Sequence, residues 1–242
     1  MNDLMAALIL IAYYLVGLVA IPTMLKAWSK LPDEIIRKIQ HVGYSLSVFI
    51  LLRFFSTWYM AVAAAFVLVI LAYPALLLIE KTAFYKKYFV DREKRGGELR
   101  KQLLFVQLSF ALLIFLFWGL LGVQRHYMAA AAVMAWGFGD AAAALIGKFY
   151  GKRNVIHAWV EGAKTKEGTL AMGITAFFAI FLTLIFYGGL PWYICLLTAL
   201  VAAPVCAFVE LFSHGGMDTL TVPFAAAAVI FPLVYLFSYL GW

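Results

Sequence analysis

Four clusters of charged and small residues have the types and spacing to do chemistry. The first is Arg37-Lys38-x-x-His41, in which Arg37 and His41 stand four apart and share a helix face. Cations there suit a phosphate; an ordinary basic flank, with Glu34 pairing Lys38, is the plainer reading. The second is Gly137-Phe138-Gly139-Asp140-Ala141-Ala142-Ala143-Ala144, continuing to Gly147-Lys148-x-x-Gly151-Lys152. An ionised Asp140 inside an apolar helix costs about 2.5–3.5 kcal/mol on insertion scales, so it needs a partner, a cavity or a metal. The alanine run lets another helix come close. The glycine–lysine repeat is not a P-loop, because it lacks the spacing and no Ser or Thr follows the lysine.

The third cluster is Lys164-Thr165-Lys166-Glu167-Gly168-Thr169, at the start of an apolar run. Exposed N–H groups at a helix start, with two lysines, suit a phosphate chain. The alternative is a capped helix start, with Thr165 as the cap and Glu167 favouring the dipole. The fourth runs from Glu210 through His214, Gly215, Gly216 and Asp218 to Thr219-Leu220-Thr221-Val222-Pro223. Two carboxylates bracket a short glycine turn. They are hard oxygen ligands of the kind magnesium uses together with substrate phosphates. The structural alternatives are a capped turn, with Asp218 ahead of a helix, and an interfacial His214.

The elements that must position these groups are membrane helices. Of 242 residues 66% are hydrophobic and only 13% are charged, against about half and about a quarter in a soluble domain. The mean hydropathy is +0.95. One core of this size cannot hide that surplus, so much of it must face lipid. A spanning helix needs about 20 apolar residues, and the pattern predicts helices at about 4–25, 42–56, 58–79, 102–123, 127–147, 168–188, 191–211 and 219–241. The fold class is therefore all-α, a polytopic transmembrane bundle of about eight spans, read as a single integral membrane domain over residues 1–242. The second helix is the least regular: it is short, and an amphipathic helix beginning at Pro32 and meeting the membrane near His41 is the alternative. Pro74, Pro204 and Pro232 fall inside predicted helices. The N-terminus lacks a basic region and a small-residue cleavage site, which reads as a retained helix and not a signal or transit peptide.

The charges set an orientation. Seventeen of the 19 lysines and arginines lie between the first and second, third and fourth, or fifth and sixth predicted helices. With eight spans these three loops share one side; the other keeps only Arg53 and Arg125. The positive-inside rule puts the basic loops in the cytoplasm and both termini outside. All four clusters then fall on the cytoplasmic face, beside a charged, solvated loop at about 80–101. The net charge of +7 is broken up by long apolar runs, which suits anionic lipid heads or phosphates and not nucleic acid. Cys195 and Cys206 lie inside apolar stretches and read as small core residues, with no disulfide framework or zinc spacing. Phe54, Trp58, Trp136 and Trp159 either line a lipid groove or, more simply, anchor at the interface.

These pieces resemble the CTP-dependent lipid-alcohol kinases: dolichol kinase, phytol kinase and the fungal-type diacylglycerol kinase. The resemblance covers about residues 35–232 and rests on Arg37-Lys38-x-x-His41, Gly139-Asp140-Ala141-x-Ala143-Ala144, Gly147-Lys148-x-x-Gly151-Lys152, Lys164-Thr165-x-Glu167-Gly168-Thr169, and Glu210 followed by Asp218-x-Leu220-Thr221-Val222-Pro223. The family usually has Asn after the last Asp, where Thr219 stands here. The resemblance implies a kinase of the cell (inner) membrane that transfers the γ-phosphate of CTP to a polyprenol, phytol-like alcohol or diacylglycerol, with Mg2+. Residue spacing by itself does not separate CTP from ATP. On this reading the nucleotide sits on Lys148, Lys152, Lys164, Thr165, Lys166, Glu167 and Gly168. Asp140, Asp218 and Glu210 are the metal ligands, Asp140 or Asp218 is the base, and Arg37 and His41 neutralise the transferring phosphate. Glu210 alternatively orients His214.

Two rivals remain. The related phosphatidate cytidylyltransferase, which makes a CDP-lipid, has a similar Lys-Thr-x-Glu-Gly piece. Its Lys-Asp pair and its Arg-x-Asp are absent here: Phe208-Val209-Glu210-Leu211 offers one acid and no lysine. A transporter would place polar groups at the midplane between repeated, broken helices; no repeat is visible and the outer half is nearly free of charge.

Overall fold

The structure, a computed structural model, describes residues 2–83, 85 and 97–239. Most of the charged segment expected at about 80–101 therefore lies outside the described residues. The described residues form eight helices long and apolar enough to cross a membrane. They are α1 (Asp3–Trp28), α2 (Asp33–Phe54), α3 (Trp58–Ile79), α4 (Glu98–Leu120), α5 (Tyr127–Tyr150), α6 (Lys166–Phe186), α7 (Trp192–Phe212) and α8 (Asp218–Tyr239). Among the described residues there is no strand, only an isolated antiparallel bridge between Asn154 and Thr165. The chain divides into two compact units, Met1–Phe115 and Leu116–Trp242.

In the first unit α2 packs on α1, and α3 runs along α4. Its least apolar helix, α2, is also much buried, while α3 is apolar all round and buries only Ala61 and Ala65. The remaining surface of α3 is left for lipid. The second helix differs from the expectation of 42–56. It is one continuous helix from Asp33, as the Pro32 alternative had it, with Pro32 just ahead and Asp33 and Glu34 in the first turn. Its polar opening turns are possible at depth because their side chains have partners. The Gln40 amide donates to the Leu18 carbonyl at 2.8 Å, and Arg37 lies between two glutamates. The fourth helix likewise starts earlier than expected, at Glu98, where its charged first turn finds Arg37 and Arg100 finds Glu80 at 2.7 Å.

In the second unit α5 packs against α6 and α8, and α7 closes the ring between them. The alanine run does what it promised: Ala129 to Ala135 and Gly139 of α5 are buried, so neighbouring backbones come close. Pro204 lies inside α7, and Pro223 and Pro232 inside α8. Cys195 and Cys206 are fully buried and free. The up-and-down order brings the C-terminal ends of α5 and α7 to the same end of the unit as the starts of α6 and α8.

Candidate active site

That shared end is built on glycine. A methyl at Gly168 would meet the Ala143 carbonyl oxygen at 2.8 Å and the Gly147 Cα at 3.2 Å, and one at Gly147 would meet Thr165 Oγ1 at 3.1 Å. The glycines of the second and third clusters are thus the contact between the end of α5 and the start of α6. Thr165 is the cap: its Oγ1 accepts the Gly168 N–H at 3.1 Å. The Lys166 N–H donates to the Arg153 carbonyl at 2.9 Å and the Thr169 N–H to the Thr165 carbonyl at 3.0 Å. Those donors have partners within the chain, so this helix start has the capped form of the two expected. The charges of Lys148, Lys152, Arg153 and Lys166, all exposed, remain around it.

Residues 151–165 form a strap across this end. Glu167 Oε2 accepts the N–H groups of Lys152 and Arg153, each at 3.2 Å, which ties the start of the strap to α6. The bridge between Asn154 and Thr165 pairs its two arms, with the Val155 N–H donating to the Lys164 carbonyl at 2.8 Å. Its far side reaches the α7–α8 turn. The Gly215 N–H donates to Glu161 Oε2 at 2.7 Å, and the His157 ring meets the Phe212 ring edge-on at 5.8 Å. Gly215 and Gly216 have φ of 57° and 81°, so this turn needs glycine. Lys164 completes the clasp. Its ammonium pairs Glu210 Oε1 at 2.9 Å, donates to the Glu210 carbonyl and reaches the Ser213 carbonyl at 3.3 Å. A cation on the last carbonyls of α7 is favourably placed for the helix dipole.

The carboxylates stand beside this clasp. Asp218 opens α8, and its Oδ2 accepts the indole N–H of Trp136 at 3.2 Å. Trp136 lies one turn before Asp140 on α5, so Asp218 is tied to the helix face that carries Asp140. Trp136 has no exposed surface, which corrects the interfacial role expected of it. Among the described residues no group of three His, Cys, Asp or Glu side chains could hold a metal by itself. Magnesium bound with substrate phosphates asks for only one or two carboxylates. Asp140 and Asp218, on helices packed together, fit that requirement. Glu210, nearly buried, is already charge-matched by Lys164.

The first cluster belongs to the first unit. Arg37 pairs Glu34 through one terminal nitrogen and Glu98 at 3.4 Å through the other, and only 8% of its surface is exposed. Glu34, expected beside Lys38, pairs Arg37. The Gln102 amide donates to His41 Nδ1 at 3.0 Å, and His41 is buried.

Eight apolar helices with a charged, glycine-built end define an integral membrane protein with a polar site at the helix ends. The chain is 32% identical over 232 residues to a phytol kinase of Synechocystis sp., a match covering 94% of this chain and 91% of that protein. It belongs to the phytol kinase family. No family model matches the chain, and no solved structure matches it.

Proposed function

We propose that the protein transfers the γ-phosphate of CTP to the hydroxyl of a lipid alcohol at the cytoplasmic face of the cell membrane, with residues 1–242 working as one integral membrane domain. The observation that carries this reading is the gathering of Asp140, Asp218, Lys164 and Glu210 at one end of a four-helix unit, amid exposed Lys148, Lys152 and Lys166. The relationship to a phytol kinase supports a lipid alcohol as acceptor, and phytol-like alcohols, polyprenols and diacylglycerol are the class to test. CTP as donor rests on the sequence resemblance.

Phosphoryl transfer needs mainly positioning and charge neutralisation. The exposed lysines reach a triphosphate, while Lys164 adds charge from a place fixed by Glu210. Thr165, Glu167 and Gly168 shape the floor beneath them by holding the strap and the α5–α6 contact. Asp140 and Asp218 would hold magnesium, which would supply neutralisation of the phosphate charge. Either carboxylate would accept the acceptor hydroxyl's proton. Arg37 and His41, expected to neutralise the transferring phosphate, are held by Glu34 and Glu98 and by Gln102.

The test is purified protein with magnesium, CTP or ATP labelled at the γ- or α-phosphate, and a panel of lipid alcohols and phosphatidate. The γ-label in the lipid extract with CTP supports the reading. Lipid carrying the α-label and cytidine instead establishes a cytidylyltransferase, and γ-label from ATP alone overturns the choice of donor.

A further inference from the structure

The strap of residues 151–165 has a face that the site does not use. Ile156 is 95% exposed and Trp159 is 70% exposed. Beside them Phe149 and Tyr150, at the end of α5, are also exposed. Large apolar side chains this open on an ordered loop mark a contact surface.

The loop is ordered by contacts already described, and they fix the aromatic in place. The Trp159 N–H donates to His157 Nδ1 at 3.2 Å, the two rings meet edge-on at 5.7 Å, and His157 in turn rests on Phe212. A stack of Phe212, His157 and Trp159 thus leads outward from the end of α7. The charges are sorted as well. The strap's acid, Glu161, has its Oε2 on the Gly215 N–H, and neighbouring Glu167 has its Oε2 on the Lys152 and Arg153 N–H groups. The side chains of Lys152 and Arg153 stay on the exposed side. The strap joins the end of α5 to the start of α6, two helices of spanning length, and a loop between such helices falls at a membrane surface. An apolar tip with an aromatic, flanked by cations, matches the boundary between acyl chains and anionic headgroups.

We propose that this strap is a membrane-interface contact: Ile156 and Trp159 insert at the acyl boundary, and Arg153 meets acidic phospholipid headgroups. The strap then fixes the level of the site's lysines relative to the bilayer surface. This inference stands without the kinase reading, since its test measures depth and not turnover.

The test uses the full-length chain in vesicles of phosphatidylcholine alone or mixed with phosphatidylglycerol. A spin label is placed at Ile156→Cys or Trp159→Cys, with Asn154→Cys and Gly162→Cys as comparisons. The parent protein, whose Cys195 and Cys206 are fully buried, supplies the labelling background. In mixed vesicles, labels at 156 and 159 are expected to collide several-fold more with oxygen than with a water-soluble nickel relaxant, and those at 154 and 162 the reverse. Arg153→Gln is expected to bring the 159 label toward the water phase in mixed vesicles and to leave it unchanged in phosphatidylcholine. Water-phase behaviour at 156 and 159 in both vesicle types overturns the proposal. Equal depth in both types, unaltered by Arg153→Gln, overturns its electrostatic half.

Discussion

In the first unit Glu34, Arg37 and Lys38 of α2 are buried, with Arg37 set between Glu34 and Glu98, and buried His41 lies against Gln102 of α4. In the second unit Lys148, Lys152 and Lys166 stay exposed around carboxylates on α5 and α8, while Lys164 is held in an ion pair with Glu210. Both clusters are basic and both begin at a helix end, so as sequence they look alike. Their surroundings differ. A buried arginine between two carboxylates has its charge matched within the protein, and moving it onto a substrate would leave a glutamate uncompensated. Exposed lysines at helix ends present charge where a polyanion can reach it. The first arrangement holds helices together; the second can take a ligand.

The comparison can be broken at its strongest point first. Asp140→Asn is expected to abolish transfer of the γ-phosphate while leaving expression, extraction and melting temperature unchanged; wild-type turnover in that variant would remove Asp140 from the site. Arg37→Gln should act in the opposite sense. Loss of one member of a buried pair costs about 3–5 kcal/mol, so the variant is expected to melt well below the parent. An unchanged melting temperature with lost turnover would move Arg37 from scaffold to chemistry.

Trp136→Phe probes a finer difference, because it keeps most of the ring and removes the donor to Asp218. Hydrogen bonds to charged groups contribute about 1.5–3 kcal/mol. Turnover is therefore expected to fall about ten- to a hundredfold by the usual relation of energy to rate, with a higher magnesium requirement and little change in melting temperature. Magnesium-induced thermal stabilisation, measured without nucleotide, should weaken in parallel. Glu161→Ala is the smallest change. It removes the acceptor for the Gly215 N–H, and hydrogen exchange at residues 151–165 and 215 is expected to quicken while the melting temperature stays put.

How much of this was legible depends on what each residue answers to. The eight spans could be read because apolar length is a local property: α3 was expected at about 58–79 and runs over Trp58–Ile79. The start of α2 was harder, since hydropathy counts Glu34, Arg37, Lys38 and Gln40 as polar and cannot see that Glu98 and the Leu18 carbonyl satisfy them. The start of α6 was read with two alternatives, and the Arg153 carbonyl, reaching Lys166 from the strap, decided for the capped one. Trp136 resembled an interfacial anchor by type, and its donation to Asp218, 82 residues away, had no signal in the local sequence. Glu161 and His157 were not singled out, because the latch each forms needs the α7–α8 turn as its partner.

The sequence by itself determined that the chain is an all-α membrane protein and that its lysines, acids and glycines gather at helix ends. Those follow from residue type and spacing, which act over a few turns. The tertiary structure decided which of the charges are committed. Only when α2 meets α4, and when the strap meets α7 and α8, is a cation either paired or left exposed. A partner's distance in space is set by packing and not by its separation along the chain.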